Sequence, residues 1–426
     1  MNIPALYELY KKHPSVKTDT RQLVPGDLYF ALKGPNFDGN AFAAQALGKG
    51  AVVSVIDDPR YFIDERKTIV VNNVLECLQA LAKHHRQQLN IPFIAITGTN
   101  GKTTTKELIN AVLSSQYKTV ATKGNLNNHI GVPLTILSIP ADTEMAIIEM
   151  GANHQREIAG YCEVALPTHG IITNIGKAHL EGFGGEEGVK IAKGELYDYL
   201  RANNGTVFVC KDLPYLVEMS QGIRQVTYGL EAADYVAKPV RGQAFLALET
   251  AYPDLSLIQT QLVGAYNYTN ALAAIAVGLY FKVTGANIKA ALEAYSPTNN
   301  RSQVIRKGNN TIIMDAYNAN PSSMKAAIEN FVQLDAGKKV LLLGAMKELG
   351  ENSVKEHQAL INLLQQHSWD SVLLVGGDFA LTKHPYFYVE NNAAAQQWYH
   401  QKHFENCYIL LKGSRSIGME KVIEDI

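Results

Sequence analysis

"FIAITGTNGKTTTKEL", Phe93 to Leu108, decides how the chain is read. An apolar run with β-branched residues stops at Thr97. Gly98, Asn100 and Gly101 then crowd into a turn, and Lys102 leads into three threonines and a helical pattern. Strand, glycine-rich turn, lysine, hydroxyl residue and helix is the mechanical recipe of a P-loop. Its glycines let backbone N–H groups face phosphate oxygens, and the helix N-terminus adds favourable partial charge. Its lysine reaches the terminal phosphates, while a threonine hydroxyl ligates Mg2+. Lys102 and Thr103 fit those two roles. The spacing departs from G-x-x-x-x-G-K-[ST], because Ile96 stands five residues before Gly101 and the first glycine is Gly98. A tight strand-to-helix turn with an exposed lysine is the plainer alternative, but it leaves the full succession of residue types without a reason.

Working outward, "AIIEMG", "GIITNIG" and "TVFVC" are short, continuous and β-branched, as buried parallel strands tend to be, and helical patterns separate them. The stretch from 89 to 298 therefore reads as a central doubly wound P-loop domain. It closes with the helical "NYTNALAAIAVGLYFKVTG" and "NIKAALEAYSP" before the polar break "SPTNNRS". Residues 1–88 carry "DLYFAL", "AVVSVI", "KTIVV" and the helical "LECLQALAKHHRQQL", enough for a small N-terminal α/β domain. Residues 299–426 alternate "KKVLLLG", "SVLLVGG" and "CYILLKG" with helical segments, a third, Rossmann-like α/β unit. The fold class is thus α/β with three domains, in keeping with 426 residues at about 150 residues per domain.

The 39 basic and 40 acidic residues leave a formal net charge of -1, which gives no electrostatic reason to expect a nucleic-acid partner. An anionic substrate must then be held by local sites. The start "MNIPALYELYKKHP" lacks a signal peptide's basic flank and apolar core, and no apolar stretch approaches the length of a membrane span. A cytoplasmic location without membrane insertion is expected. Cys77, Cys162, Cys210 and Cys407 form no CxxC pair and read as buried thiols rather than a zinc site or disulfides.

A P-loop needs an acidic Mg2+ partner at the end of a neighbouring strand. "EMAIIEMG" ends near Glu149, and "GIITNIGKAH" places His179 past another strand. Residues at the carboxyl ends of parallel strands project into one crevice. Glu149 and His179 are therefore candidate metal ligands. In "EEGVKIAKGELYDYL", Lys190 and Lys193 stand at i and i+3 of a helix. An ammonium cannot ligate Mg2+, so these lysines read most simply as a solvated face or as phosphate partners.

"TGTNGKTTT", "GNLNNHIGVPLTIL", "EMGANHQREIA", "TNIGKAHLEGFG", "AKGELY", "YNYTNALAAIA", "DAYNANPSSM", "ELGENS" and "LLKGSRSIGME" occur in the order found in Mur ligases. The N-terminal "TDTRQLVPGDLYFALKGPNFDGNAF" resembles that family's UDP-sugar region, so the resemblance covers essentially the whole chain. The P-loop is shared with all Mur ligases and with folylpolyglutamate synthases. "EMGANHQREIA" and "YNANPSSM" resemble the branch that adds D-alanyl-D-alanine.

The resemblance implies an ATP-dependent, ADP-forming amide ligase of cytoplasmic peptidoglycan precursor synthesis. Its small-molecule partners would be UDP-N-acetylmuramoyl-tripeptide and D-alanyl-D-alanine, and it would act as a monomer. ATP phosphates would lie on Lys102 and the backbone of Gly98, Thr99, Asn100, Gly101, Thr103 and Thr104. Thr103 and Glu149 would hold one Mg2+. His179 and a carbamylated Lys193 would hold a second. Asn267 and Asn270 would contact the adenine region, while Arg301 and Asp315 would close over the phosphates and ribose. Thr20 and Arg21 would face the uridine diphosphate. Asn127 and Asn128 would lie near the substrate carboxylate, and Asn318, Asn320, Lys412 and Ser414 would surround the dipeptide. Because Arg301 and Asp315 lie beyond the second boundary, rotation of the third domain is expected to complete the site. Ala345 in "GAMKELG" stands where the family usually has aspartate. Two other readings compete: a superfamily enzyme with a different acceptor, and a nucleotide-dependent binding protein without ligase chemistry.

Overall fold

The computed structural model describes residues 2–178, 180–240 and 245–424, so the candidate ligand His179 lies outside the described residues. Among these, three α/β units carry sheets of four, nine and six strands. The strand Phe93–Thr97 sits inside the nine-stranded sheet, between Met145–Glu149 on one side and His169–Ile172 on the other. All of its residues are buried, and alternate ones face opposite layers. Phe93 and Ala95 join the core shared with the N-terminal helices. Ile94 and Ile96 pack with Leu108 and Ile109 of the helix Lys102–Ser114 and with Ala271 and Ile275 of the helix Tyr268–Tyr280. Each of these leucines and isoleucines contributes about 1.5–3 kcal/mol on burial.

Beyond His169–Ile172 the sheet continues in parallel through Thr206–Cys210, Arg224–Gly229 and Tyr235–Pro239. Phe245–Thr250 then pairs antiparallel with Tyr235–Pro239 and with Leu257–Val263. In "LIQTQLV" buried and exposed residues alternate along most of the strand, the signature of a sheet with one wet face. The doubly wound reading thus holds for the strands around the P-loop, and an antiparallel extension is added to it.

The N-terminal sheet runs Val16–Lys17, Leu28–Phe30, Val53–Ile56, Thr68–Val70, all parallel. The helix Val74–Gln87 ties it to the central unit: His85 Nε2 lies 3.0 Å from Ile139 O, and Arg86 Nε donates to Ala165 O at 2.9 Å. In the third unit Asn310–Asp315, Cys407–Lys412, Lys338–Gly344, Ser371–Val375 and Phe387–Val389 are parallel neighbours, and Gln303–Lys307 pairs antiparallel at one edge. The four cysteines are buried and unpaired, as expected. Among the described residues no helix is long and apolar enough to cross a membrane.

Candidate functional site

Glycine is required twice in the loop after Phe93–Thr97. Gly98 has φ +142°, and a Cβ on it would stand 2.0 Å from Thr173 Oγ1. Gly101 has φ +80°, and its Cβ would stand 2.5 Å from Asn270 Oδ1. The loop is held by the residues that follow the neighbouring strand. Thr173 Oγ1 donates to Asn100 O at 2.6 Å, Asn100 N donates to Asn174 Oδ1 at 3.0 Å, and Thr99 N donates to Asn174 O at 2.9 Å. Asn174 falls in the "TNIG" motif, but a strand-end asparagine carries no sequence signal that marks it as a buttress of a loop 74 residues earlier.

Lys102 folds back over the turn and donates to Gly98 O at 2.7 Å and to Thr99 O at 3.1 Å. Burial pulls its pKa down to about 8; Glu149 opposes that shift and Arg301 adds to it. Its charge is held among carbonyls, where a phosphate would supply a better partner.

Pairing of Ile96 with Glu149 across the sheet carries the carboxylate to the loop. Glu149 is buried. Its Oε1 accepts from Thr103 Oγ1 at 3.1 Å and from Asn127 Nδ2 at 2.8 Å, while its Oε2 accepts no hydrogen bond among the described residues. Lys106 Nζ lies 3.6 Å from that oxygen. A buried carboxylate oxygen left without a donor, beside a threonine hydroxyl and a phosphate loop, has the chemistry of a hard-cation ligand. Among the described residues no three His, Cys, Asp or Glu side chains come together in a cluster that could hold a metal ion.

Lys193 does not lie on a solvated face. On the helix Glu186–Ala202 it is 2 % exposed, with Nζ 3.4 Å from Ala152 O and 5.0 Å from the centre of the Phe183 ring, while Lys190 one turn earlier stays half-buried. The loop after Met145–Glu149 and the Phe183 ring cover it, contacts that helical spacing cannot foresee. Burial lowers its pKa to about 7, helped by the charge of Lys102 and opposed by Glu157 and Glu195.

A cavity of about 1060 Å3 opens where the loop, the central sheet and the third unit meet. From the loop it is lined by Thr99 through Thr104, and Asn127, Asn128, Glu149, Asn267 and Asn270 complete the central wall. Asn270 is fixed against the loop, accepting from Thr105 Oγ1 at 3.0 Å and donating to Asn267 Oδ1 at 2.9 Å. Asn128 uses its side chain locally, accepting from Ile130 N and Gly131 N at the start of the helix Gly131–Leu137.

The third unit supplies the facing wall through Arg301, Asp315, Asn318, Asn320, Lys412 and Ser414. Arg301 stacks 3.6 Å over the Tyr317 ring, and its Nε has no partner among the described residues. Lys412 and Asp315 form an ion pair at 2.5 Å, on adjacent strands paired in register. Asn320 caps the helix Pro321–Gln333 and also donates to Asn100 Oδ1 at 2.8 Å, so the third unit rests on the phosphate loop itself. Ala345 is buried, and a Cβ on Gly377 would stand 2.4 Å from its own. It takes no part in the lining, whereas Lys347 and Glu348 just after it do.

Gly98 and Lys193 lie behind the lining, and Thr20 and Arg21 lie apart from it on the N-terminal unit. Thr20 Oγ1 donates to Gln45 Oε1 at 3.1 Å, and the Arg21 side chain forks onto Asp19 at 2.7–3.0 Å. Sequence reasoning passed over Lys106, Tyr317 and Arg415. Arg415 lies 5.3 Å from the centre of the Tyr317 ring and donates to its hydroxyl at 3.3 Å.

This is a three-unit α/β protein built on a phosphate-binding loop, with a polar cavity closed by its third unit. Three family models match in succession: "Mur ligase family, catalytic domain" over residues 14–88, "Mur ligase middle domain" over 96–278, and "Mur ligase, glutamate ligase domain" over 300–415. The chain is 35 % identical to the UDP-N-acetylmuramoyl-tripeptide--D-alanyl-D-alanine ligase of Bacillus subtilis (strain 168), over 96 % of this chain and 92 % of the relative. Its structure is similar to the crystal structure of MurF from Acinetobacter baumannii, with TM-score 0.86, 30 % identity and coverage of 98 % and 97 % of the two chains. It is also similar to MurF ligase from Thermotoga maritima in complex with ADP, with TM-score 0.84, 26 % identity and 96 % of both chains covered. The chain belongs to the Mur ligase family.

Proposed function

We propose that the chain joins D-alanyl-D-alanine to UDP-N-acetylmuramoyl-tripeptide at the expense of ATP, in the cytoplasmic synthesis of peptidoglycan precursors. The near full-length similarity to relatives with that activity supports the substrate pair. One structural observation carries the ATP half: Lys102, Thr103 and Glu149, whose Oε2 has no donor, line one cavity. The same cavity, large enough for a nucleotide and a peptide end together, supports a ligase over a mere nucleotide switch.

A peptide carboxylate is a poor electrophile. Attack of its oxygen on the γ-phosphorus of ATP gives an acyl phosphate and ADP. The dipeptide amine then adds to the acyl carbon, loses a proton, and phosphate leaves. Two anions must meet in the first step. Lys102 exchanges its two loop carbonyls for phosphate oxygens, and the N-terminus of the helix that starts after Gly101 faces the same anion. Glu149 and Thr103 would hold one Mg2+, and Lys193 as a carbamate would hold a second together with His179. When bound, such ions neutralise phosphate charge and polarise the reacting oxygens. Lys193 suits that modification: burial lowers its pKa to about 7, so near neutral pH a substantial share of it is the neutral amine, the form that adds to CO2. Arg301 and Tyr317 close the cavity from the third unit and shield a hydrolysable intermediate from water. Thr20 and Arg21 on the N-terminal unit remain the candidates for the uridine diphosphate.

The test is phosphate release from ATP with UDP-N-acetylmuramoyl-tripeptide carrying either meso-diaminopimelate or lysine, with and without D-alanyl-D-alanine, followed by mass analysis. Release that needs both substrates and yields the pentapeptide nucleotide is the expected result. Hydrolysis that is indifferent to both substrates overturns the reading.

A further inference from the structure

Lys106 is a buried lysine that the reaction just described does not use. It stands one turn into the P-loop helix, its side chain is 3 % exposed, and it touches two carboxylates without a close bond to either. Its Nζ is 3.6 Å from Glu149 Oε2 and 3.8 Å from Glu107 Oε1. A desolvated ammonium poised between two anions shifts toward whichever is left uncompensated.

Glu107 is already committed. Its Oε2 accepts from Tyr295 OH at 2.6 Å, and its Oε1 accepts from Asn299 Nδ2 at 3.0 Å. Tyr295 ends the last helix of the central unit, Gly285–Ala294, and Asn299 lies in the connection to the third unit, two residues before Arg301. The side-chain path therefore runs from Glu149 through Lys106 and Glu107 to both ends of the inter-unit connection, and Arg301 beyond it faces the cavity.

We propose that Lys106 is a positioning residue that couples cation binding at Glu149 to the ordering of the 295–301 connection. A cation drawn onto Glu149 Oε2 repels the ammonium and competes for the carboxylate. Lys106 then turns to Glu107, adds charge-assisted support to the carboxylate that clasps Tyr295 and Asn299, and steadies Arg301 over the nucleotide. The inference rests on the reading of Glu149 as a metal ligand.

The test measures ADP affinity and backbone amide exchange of residues 295–301, each with and without Mg2+, in the wild type, K106M, E107Q and E149Q, with thermal melts as a check on folding. In the wild type, Mg2+ is expected to tighten ADP binding and to slow exchange across 295–301. E107Q should lose the slowing and, with it, the share of the affinity gain that Arg301 supplies. K106M should lose the slowing and at least about tenfold of the Mg2+-dependent gain, and K106R should restore part of it. If K106M does not fold, E107Q alone decides the matter through its loss of the slowing. Wild-type slowing in folded K106M or in E107Q overturns the coupling. If E149Q loses the gain while K106M behaves as wild type, only this inference fails. If E149Q keeps the gain, the metal reading fails and takes the inference with it.

Discussion

Replacing Gly101 by alanine tests the loop at the point where conformation and packing both demand glycine. Two costs add. A residue with a Cβ held at φ +80° loses about 1–2 kcal/mol against glycine. The new methyl would also stand 2.5 Å from Asn270 Oδ1, so the carboxamide must move. That oxygen accepts from Thr105 Oγ1 at 3.0 Å, and the same side chain donates to Asn267 at 2.9 Å. Loss of two buried hydrogen bonds costs about 1–3 kcal/mol in all. The sum is about 2–5 kcal/mol. At about 2–4 °C per kcal/mol for a unit of this size, the unfolding transition of the central unit should fall by roughly 4–20 °C. A matched control separates the two costs. Gly124 has φ +56° but no atom within 4 Å of its would-be Cβ, so Gly124→Ala carries the backbone cost alone. Calorimetry on the two variants should show Gly101→Ala melting lower than Gly124→Ala by the share due to Asn270. Equal melting points would refute the packing argument, and a Gly101→Ala chain as stable as the wild type would refute the whole of it.

Lys102→Ala should lose turnover by orders of magnitude while its melting point stays level, because this ammonium meets only loop carbonyls in the absence of ligand; a large drop in stability would mean that the lysine is structural. Lys193→Ala should be nearly inactive and partly rescued by short carboxylic acids that replace the carbamate oxygens; full activity without additive would remove Lys193 from the metal site. In CO2-free buffer Lys193 titrates at about 7 in the folded chain and near 10.5 when unfolded, so between these values the unfolded state binds more protons and stability rises with pH. Urea midpoints at about pH 7 and about pH 9.5 should therefore climb more in the wild type than in Lys193→Met, a difference that isolates this lysine from the cysteines and tyrosines, which push the other way; parallel curves would refute the burial argument. Lys412→Met strands Asp315, which is 16 % exposed, and should cost about 3–5 kcal/mol, whereas Lys412→Met with Asp315→Asn should cost less, measured by chemical denaturation.

The P-loop and its strands were legible because their signals are local. Phe93–Thr97 is five buried residues ending in a glycine turn, and no distant contact is needed to recognise it. The antiparallel extension was not foreseen, because "LIQTQLV" announces itself by alternation rather than by a continuous apolar run. Lys193 shows the limit more sharply. Helical spacing puts it beside Lys190, and both read as a solvated face or as phosphate partners; what buries Lys193 is Ala152, 41 residues earlier, and the ring of Phe183. Lys106 sat inside the quoted motif and was still overlooked, since the value of a lysine depends on which carboxylates the sheet register brings to it.

Beside the packing of Val263 into its core, the third unit is held over the loop by polar contacts. Asn320 to Asn100, Lys177 N to Ser322 Oγ at 3.1 Å, and Ala265 N to Asn330 Oδ1 at 3.1 Å are neutral hydrogen bonds, and the half-exposed Lys177 meets Glu356 at 3.0 Å. Each neutral bond nets about 0.5–1.5 kcal/mol and such an ion pair about 0–1 kcal/mol, so the set is worth roughly 2–5 kcal/mol. A ligand at 100 to 1,000 times its Kd supplies about 3–4 kcal/mol to the state that binds it. The polar share and the ligand contribution are of the same size, so nucleotide and substrate add weight to the closed arrangement comparable to that of these contacts. Were the contacts at the loop wholly dry and apolar, the ligand would add little to what already held the third unit there.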